Sequence, residues 1–298
     1  MEIVTLVENS CADTRLKEEF GLSLLVKCEA GSILFDMGAS ARFALNAELL
    51  DEDLAAVDCA VLSHAHYDHG GGLETFLQKN SQAPIYAGIG AGGDYYADIG
   101  ARSPLLLEPL VSAMSRKSTL FCRYIGLDKA LLVQAGERLM TVEGSIEILP
   151  DVYVLTKIQQ NRALPHGNRY LLENTERGLY EDPFRHELIL VIRESDGLVL
   201  LTGCGHRGIQ NMVETVQQHF GGEKIKAVIG GFHLALRPGK PQIAGKREDI
   251  EAIARLLASA GVERVITGHC TGDEACDILK EEMGEVFSRL STGLRYSI

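Results

Sequence analysis

The chain has little of the positive charge that a nucleic-acid-binding surface needs. Its 298 residues include 29 lysines and arginines against 41 aspartates and glutamates, so its formal net charge is −12 at pH 7. Because phosphate backbones are bound by basic side chains, this balance argues against a nucleic-acid partner. It leaves room for a small anionic substrate, since a bound metal ion can reverse the sign of the local charge.

Long hydrophobic runs are also missing. No stretch approaches the roughly 18 uninterrupted apolar residues of a membrane-spanning helix, so we expect no membrane partner. Residues 1–7 lack a basic region before their apolar run, which predicts a first β-strand and not a signal peptide. The seven cysteines form no C-x-x-C pair. This usage favours reduced thiols in a cytoplasmic protein over a disulfide framework.

One short segment carries an unusual density of metal-binding side chains. Residues 64–69 read HAHYDH, after the apolar run 57–63 and before three glycines. Neutral imidazole nitrogens and carboxylate oxygens are common ligands for zinc and similar divalent ions. The alternative is a solvated histidine-rich loop, but such loops seldom lie between a buried-strand pattern and a glycine run.

The spacing within this segment suggests two metal sites. Side chains alternate along an extended chain, so His64, His66 and Asp68 can point in one direction. A turn at Asp68 and His69 then lets these two side chains face a second point. One loop can therefore supply ligands to two adjacent metal ions.

The predicted elements are strand-rich at first, then mixed, then alternate between strand and helix. This order suits two β-sheets packed face to face with helices outside, and no repeat indicates a solenoid. The predicted strands span 3–7, 22–26, 32–35, 57–63, 84–87, 138–142, 145–149, 152–156, 187–192, 198–202, 227–229 and 262–267. The predicted helices span 40–50, 72–79, 209–219, 248–258 and 273–283. Turns at 143–144 and 196–197 predict hairpins.

The middle of the chain, about 88–185, is less regular. Residues 88–96 are predicted to be flexible, without the Gly-Lys-Ser/Thr ending of a phosphate loop, and a mostly helical stretch follows to about residue 115. The long polar segment 161–183 is typical of a substrate lid or cap. Three arginines there could bind an anionic group, although solvated surface arginines are commoner. They are Arg162, Arg169 and Arg177.

Three further histidines follow predicted strands in glycine-rich surroundings: His206, His233 and His269. Strand ends hold ligands rigidly, so all three are candidates for the same site. For any one of them alone, a surface or core histidine would be the better interpretation. Three other histidines have weaker claims: His219 is predicted on a solvated helix surface, His186 at a strand edge and His166 in the lid.

Residues 64–69 resemble the HxHxDH signature of the metallo-β-lactamase superfamily, and LFDMG at 34–38 resembles its early DTG element. One branch of that superfamily, the dihydropterin ribofuranosyl-aminobenzene phosphate synthase-like proteins, is similar in four further segments. They are 21–26, 202–206, 230–234 and 268–272. The resemblance implies an α/β (α+β) fold, a four-layer αββα sandwich of two mixed β-sheets with helices on the outer faces. We expect one domain over 1–298, with a lid-like or cap-like insertion at about 88–185.

The resemblance also implies a ligand set for two divalent ions at one edge of the sheets. His64 and His66 would hold one ion, and Asp68, His69 and His269 the other. Zinc is the first expectation for both ions, with iron and manganese as alternatives, since the same ligands suit all three.

The chain departs from the superfamily pattern at one position. Many members end a strand with Thr-Gly-Asp, whose carboxylate bridges the metals, whereas this chain has Thr-Gly-Cys at 202–204. His206, two residues later, is predicted as the third ligand of the first metal. Cys204 could bind as a thiolate or lie beside the site as a buried thiol, and both interpretations stay open. For Cys270, packing is the preferred interpretation.

Such a centre predicts roles for nearby side chains. Two divalent ions about 3.5–4 Å apart can activate a shared water. Asp68 would bind metal and orient that water, and His233 would contact substrate or donate a proton to the leaving group. Asp36 and Asp58 could fix the tautomers of ligand imidazoles, with a carboxylate in a strand-end turn as the alternative for each.

The leading functional hypothesis is a metal-dependent hydrolase of a small anionic metabolite that is phosphorylated or carries an ester. The second is a synthase, as the branch suggests, which would join an aminobenzoate-type acceptor to phosphoribosyl pyrophosphate. It ranks lower because the sequence has no loop resembling a phosphoribosyl pyrophosphate site. The third is a non-catalytic metal or ligand sensor on the same scaffold. The sequence names neither the substrate nor the oligomeric state.

Overall fold

The computed structural model describes residues 1–11, 13–99, 119–236 and 242–298. Eighteen strands and seven α-helices lie within these ranges. The strands are β1 Glu2–Val7, β2 Ser23–Cys28, β3 Gly31–Phe35, β4 Cys59–Leu62, β5 Ile85–Gly88, β6 Asp94–Asp98, β7 Cys122–Tyr124, β8 Leu139–Val142, β9 Ser145–Leu149, β10 Val152–Leu155, β11 Leu171–Thr175, β12 Gly178–Glu181, β13 Ile189–Glu194, β14 Gly197–Thr202, β15 Ile225–Gly230, β16 Arg264–Thr267, β17 Phe287–Arg289 and β18 Arg295–Ser297. The helices are α1 Arg42–Leu49, α2 Tyr67–Gly70, α3 Leu73–Lys79, α4 Lys129–Ala135, α5 Ile209–His219, α6 Arg247–Ser259 and α7 Asp273–Met283.

Two mixed sheets of seven strands each form the centre of the described structure. Their strand orders are β18-β1-β2-β3-β4-β5-β8 and β17-β16-β15-β14-β13-β10-β9. Each sheet joins three antiparallel strand pairs to three parallel ones. The two sheets therefore have the same arrangement of antiparallel and parallel pairs, and the C-terminal strand β18 belongs to the first sheet.

Strands buried on both faces explain why the apolar runs in this sequence are nearly continuous. In β3, Ile33 and Phe35 pack between the two sheets, while Leu34 faces the helices outside. In β13, Leu190 faces the other sheet and Val191 faces outward. Helices α1, α3 and α4 cover the first sheet, and α5, α6 and α7 cover the second. The predicted αββα sandwich is confirmed.

The parallel strands end together at one edge of the second sheet. Thr202 of β14, Gly230 of β15 and Thr267 of β16 are aligned in register. The loops that follow them start at the same level and carry His206, His233 and His269. In the first sheet, β4 ends at Leu62, directly before the histidine-rich loop.

The middle of the chain differs from its prediction in three places. Residues 94–98, expected to be flexible and then helical, form strand β6. The predicted helical stretch from residue 100 to about residue 115 lies outside the described residues. The polar segment 161–183 contains the hairpin β11–β12, which joins β6 and β7 in a four-stranded sheet. The predicted hairpin at 138–149 is wrong, because β8 pairs with β5 in the first sheet and β9 with β10 in the second.

Segment 88–185 thus contributes strands to all three sheets, and the single-domain organisation with an inserted cap stays a prediction. The other predicted hairpin is confirmed: β13 and β14 pair antiparallel up to Glu194 and Gly197. Among the described residues, no helix is long and apolar enough to cross a membrane.

Candidate metal centre

The histidine-rich loop leaves the carboxyl end of β4 and turns into the short helix α2. Backbone hydrogen bonds fix it on both sides, since Leu22 N–H donates to the Asp68 carbonyl and Met37 N–H to the His69 carbonyl, at 3.1 and 2.7 Å. Ala65 N–H donates to Nδ1 of His186 at 3.0 Å. The loop is therefore rigid, although it lies outside the regular strands.

Four donor atoms converge on one side of this loop. Nε2 of His69 lies 3.1 Å from Nε2 of His269 and 3.2 Å from Sγ of Cys204. Oδ2 of Asp68 lies 3.3 Å from Nε2 of His269 and 3.7 Å from Nε2 of His69. Tetrahedral metal–ligand bonds of about 2.0–2.3 Å place ligand atoms about 3.3–3.8 Å apart. The observed distances fit such a site.

A second group of donors lies beside the first. Nε2 of His64 is 3.1 Å from Nδ1 of His66. The donor atoms of His64, His206 and Cys204 all lie within 4.8 Å of one another. The ring centroids of His66 and His206 are 5.0 Å apart. Nε2 of His206 is buried without a hydrogen-bond partner in the described structure, which is the state of an atom placed to bind an ion.

Asp36 and Ser63 orient two of these imidazoles. Oδ2 of Asp36 accepts from Nδ1 of His69 at 2.6 Å and from the Ser63 hydroxyl at 2.7 Å. Because the hydroxyl proton is used there, Ser63 Oγ accepts from Nδ1 of His64, 2.9 Å away. Both rings therefore carry their proton on Nδ1 and turn the Nε2 lone pair toward the donor clusters. This is the role that Asp36 was predicted to have.

Two asparagines orient the other two imidazoles in the same way. Asn168 Nδ2 donates to the His206 carbonyl at 2.7 Å, so its Oδ1 accepts from Nδ1 of His206 at 3.0 Å. Asn9 Nδ2 donates to the His269 carbonyl at 3.1 Å, and its Oδ1 accepts from Nδ1 of His269 at 3.0 Å. Each asparagine fixes both the backbone and the ring of one histidine.

Two buried glutamates hold the same two loops by the backbone. Glu187 accepts from the N–H groups of His206 and Arg207 at 2.7 and 2.6 Å. Glu8 accepts from the N–H of His269 at 2.6 Å. Burial raises the pKa of the Glu187 carboxyl to about 8, even though the two N–H donors oppose this shift.

Burial also determines the charge of the histidines. It lowers the pKa of His64 and His206 well below the ordinary value, and it lowers that of His66 to about 3, with help from neighbouring imidazoles. These three rings are neutral near pH 7 and offer lone pairs. For His269, burial lowers the pKa, but hydrogen bonding to Asp68 and nearby negative charge outweigh it and raise the pKa to about 9.

Left-handed backbone and close packing mark the same loops. The φ angles of Asp36, His233 and His269 are 61°, 50° and 52°, in a region that residues other than glycine seldom adopt. Such strain is concentrated at functional sites. A Cβ atom on Gly203 would overlap Oγ of Ser63, so the close approach of β14 to the histidine-rich loop requires glycine.

Five of the six residues predicted as metal ligands lie in these two donor groups: His64, Asp68, His69, His206 and His269. His66 lies beside them, 3.1 Å from His64, and its donor atoms also group with Asp182 and His186. His233 lies beside them, with its ring centroid 4.2 Å from that of His206. The donor chemistry and the distances fit metal binding.

Other predicted residues lie elsewhere. Asp58 accepts from the backbone and hydroxyl of Ser32, so its predicted role beside the ligands is wrong; the alternative, a carboxylate in a strand-end turn, is correct. His186 is not at an edge but buried under the loop, where Nε2 donates to Asp182 at 3.0 Å. His219 is exposed, as predicted.

Sequence reasoning missed the residues that support the ligands. Asn9, Asn168, Glu8 and Glu187 belong to no local motif, and Asn9 lies 260 positions from the histidine that it orients. One signal was available for Glu8 and Asn9, because they directly follow the first predicted strand and polar residues at strand ends are candidate supports.

Comparison with known proteins identifies the family. The family model described as the metallo-beta-lactamase superfamily matches residues 16–91. A protein of Methanocaldococcus jannaschii, named 7,8-dihydropterin-6-methyl-4-(beta-D-ribofuranosyl)-aminobenzene-5'-phosphate synthase, is 30% identical over 98% of this chain and 95% of its own length. The chain belongs to the metallo-beta-lactamase superfamily.

Solved structures agree with the fold. Tm1679, described as a metal-dependent hydrolase of the beta-lactamase superfamily, is 29% identical with a TM-score of 0.79, over 100% of this chain and 99% of its own. Zn(2+)-bound PqqB from Methylobacterium extorquens is 13% identical with a TM-score of 0.60, over the full length of both chains. The second likeness concerns the fold alone.

In this metallo-beta-lactamase-fold chain, a cavity of about 530 Å³ opens over the donor clusters. Its floor includes Asp68, His206 and His233. The four-stranded sheet and its flanking segments form part of the wall. The wall residues are Phe20, Tyr67, Ala97, Arg123, Ile125, Gly167, Tyr170, Leu171, Ala235 and Leu236.

Two predicted anion-binding arginines are used elsewhere. Arg162 pairs with Glu214 at 2.8 Å, and Arg177 lies at the turn between β11 and β12. The guanidinium of Arg169 lies 4.6 Å from the ring centroid of Tyr170, a residue that lines the cavity. Arg123, which the sequence analysis did not single out, lines the cavity itself and lies 4.9 Å over the ring of Tyr67.

The Asn168→Ala variant is expected to weaken metal binding by about 10- to 100-fold, the usual effect of losing a residue that orients a ligand. Without Asn168, the described structure has no hydrogen-bond acceptor for Nδ1 of His206, so the proton is no longer held there and the Nε2 lone pair is no longer fixed. Isothermal titration of the metal-free protein with zinc measures the effect. The matched control is Asn161→Ala, because Asn161 is exposed and contacts only Gln159 and Glu214 in the bonds described. Equal affinities for the two variants would contradict the role of Asn168.

Proposed function

We propose that the chain is a metal-dependent hydrolase of a small phosphorylated metabolite with an aromatic ring. The observation that carries the proposal is the presence of two adjacent groups of donor atoms beside the cavity. One group is Asp68, His69, Cys204 and His269, and the other is His64, Cys204 and His206. Two divalent ions, zinc in the first instance, would be held by His64, His66 and His206 and by Asp68, His69 and His269. A small anionic molecule, neither nucleic acid nor membrane, is the proposed partner.

When bound, a pair of divalent ions lowers the pKa of a water molecule and polarises the phosphoryl or carbonyl oxygen that is attacked. The chain supplies orientation and proton transfer. Burial raises the pKa of Asp68, but the imidazoles of His69 and His269 outweigh this effect and leave the pKa below its ordinary value. The carboxylate is therefore ionised and can accept a hydrogen bond from the attacking water. His233 lines the cavity, and its buried Nδ1 has no hydrogen-bond partner in the described structure. We assign to it proton donation to the leaving group.

The cavity wall supports the choice of substrate class. Phe20, Tyr67 and Tyr170 supply aromatic surface, on which a flat ring can pack. Arg123 supplies a guanidinium that can bind a phosphate through two N–H groups. Asp68 is the only carboxylate among the lining residues that the structure describes, so an anion meets little repulsion.

A synthase is the second candidate, and one observation favours it. The Methanocaldococcus relative matches along almost the whole of both chains, and its name describes a product with a dihydropterin, an aminobenzene ring and a ribofuranose 5'-phosphate. That product is also aromatic and phosphorylated, so the same cavity could hold it. The two candidates differ in whether water or an aromatic molecule attacks the bond.

Hydrolysis in ¹⁸O-labelled water separates these candidates. The zinc-loaded chain is incubated with an aryl phosphodiester and an aryl phosphate monoester, and the products are examined by mass spectrometry. We expect release of the aryl alcohol with one labelled oxygen in the phosphate, and loss of turnover after chelation. Coupling of an aminobenzene ribofuranosyl 5'-phosphate to a dihydropterin donor without label would support the synthase. Tight ligand binding with no turnover would support a sensor.

The Arg123→Ala variant is expected to raise KM for a phosphorylated substrate about 10- to 100-fold, because a charge-assisted hydrogen bond to the phosphate contributes about 1.5–3 kcal/mol. The value of kcat should change much less if Arg123 binds the ground state and the transition state equally. Arg162→Ala is the control, since Arg162 pairs with Glu214 away from the cavity lining. An unchanged KM in the Arg123 variant would remove this residue from substrate binding.

A further inference from the structure

Cys204 lies between the two groups of candidate ligands. It follows β14 by two residues and its side chain is buried, with 3% of its surface exposed. Its sulfur is 3.2 Å from Nε2 of His69, in the group that contains Asp68 and His269. The same sulfur lies within 4.8 Å of the donor nitrogens of His64 and His206, in the other group. None of the six predicted ligands belongs to both of these groups.

The direction of the His69 lone pair shows what the sulfur faces. Nδ1 of His69 donates its proton to Asp36, so the Nε2 lone pair points toward the Cys204 sulfur. The Cys204 thiol can donate its proton to this lone pair, and loss of that proton leaves two donor atoms at ligand–ligand distance, which fits a shared metal ion. The sulfur therefore belongs with the ligand atoms of the second site by the same geometric test that His269 and Asp68 pass.

The charge of the donor set favours the same assignment. When bound to the ions, the six ligands would contribute one carboxylate and five neutral imidazoles, against four positive charges on two divalent ions. A shared anionic ligand between the ions would reduce their mutual repulsion. Cys204 is the side chain that the described structure places in contact with both donor groups, and a thiolate is a strong ligand for zinc.

The neighbouring thiol of Cys270 does not meet these conditions. Its Sγ donates to the backbone carbonyl of Cys204 at 3.4 Å. The Cys270 sulfur groups with the donor atoms of Cys204 and His233. It belongs to neither of the two groups that contain ligands from the histidine-rich loop. Cys270 is also buried, at 6% exposure. It is therefore a matched control for the loss of one buried thiol beside the metal centre.

We propose that Cys204 binds both metal ions as a thiolate shared between the two sites. This inference rests on the proposed two-ion centre and adds its seventh ligand. On metal binding, the Cys204 S–H bond breaks, the proton goes to solvent and the sulfur electron pairs bind the ions. A sulfur ligand also shifts preference toward zinc and away from magnesium or calcium.

Cobalt titration tests the proposal without any substrate. Cobalt(II) is added stepwise to metal-free wild-type chain, to Cys204→Ser and to Cys270→Ser, and near-ultraviolet absorption from thiolate-to-cobalt charge transfer is recorded. We expect the wild type and Cys270→Ser to show this absorption, with changes at both the first and the second equivalent. Cys204→Ser should lack it. Cys204→Asp should bind two ions without the sulfur band, since a carboxylate can also bridge.

The possible results test separately the role of Cys204, its sharing between the two ions, and the two-ion centre itself. Wild-type chain that binds two cobalt ions without sulfur absorption would overturn the role of Cys204 and leave the two-ion centre intact. Absorption that responds to one equivalent alone would show a ligand of one ion, not a shared one. Binding of fewer than two ions would contradict the two-ion centre on which the proposed function rests. X-ray absorption of the zinc-loaded wild type gives the sulfur count directly, even if a variant does not fold.

Discussion

Replacement of His206 by alanine is expected to leave the chain with one tightly bound metal ion and to lower kcat/KM by more than about 100-fold. The reduction should exceed the roughly 100-fold effect of losing a residue that merely orients a ligand, because a ligand itself is lost. His206 is the decisive position, since it is the ligand of the first site that lies outside the histidine-rich loop. Metal content is measured by plasma mass spectrometry and turnover with the aryl phosphate substrate.

His219→Ala is the matched control for this experiment. This variant loses the same atoms from an exposed histidine at the end of α5, which belongs to neither donor group. We expect His219→Ala to retain both ions and full turnover. A His206→Ala chain that keeps two ions with wild-type affinity would show that the first site is completed by a different side chain.

The Leu190→Ala variant is expected to lower the free energy of unfolding by about 2–5 kcal/mol. Leu190 is fully buried between the two sheets, where it aligns with Val154 and Leu201 on the neighbouring strands. Its truncation leaves a cavity in the layer that joins the sheets. Urea unfolding measures the change as a lower midpoint with an unchanged slope. Both proteins must carry the same amount of metal, because bound ions also stabilise the folded state.

Leu49→Ala provides the comparison for this core substitution. Leu49 lies at the end of α1 with 53% of its surface exposed. Its truncation should change the free energy of unfolding by no more than about 0.5 kcal/mol. If both leucine variants lost similar free energy, the layer between the sheets would not be the principal core.

Local patterns predicted most regular elements correctly. Helices α5 and α7 have the predicted bounds, and α1, α3 and α6 differ from prediction by one or two residues at an end. Helices α2 and α4 were not predicted. Predictions failed where a strand joins one sheet or the other according to the distant strand with which it pairs. Strands β8 and β9 are consecutive and joined by a short turn, which suggests a hairpin. They instead lie in different sheets, because their partners β5 and β10 lie there.

The candidate metal centre shows the same difference between residues predicted from local patterns and residues supplied by distant parts of the chain. His64, His66, Asp68 and His69 are close in sequence, so their joint role can be inferred from spacing. His206 and His269 could be proposed because each follows a strand in a glycine-rich segment. The side chains that orient them come from distant positions with no local pattern.

Local patterns in the sequence predicted the candidate ligands and the two-sheet plan, since clustered histidines and buried strands leave local signals. The tertiary structure shows how Asn9 and Asn168 fix the ring protons and which arginine faces the cavity. It also placed the Cys204 sulfur between the two donor groups. The physical reason is that hydrogen bonds and ligand distances of about 3 Å depend on how the two sheets align. That alignment is set by packing across the whole core.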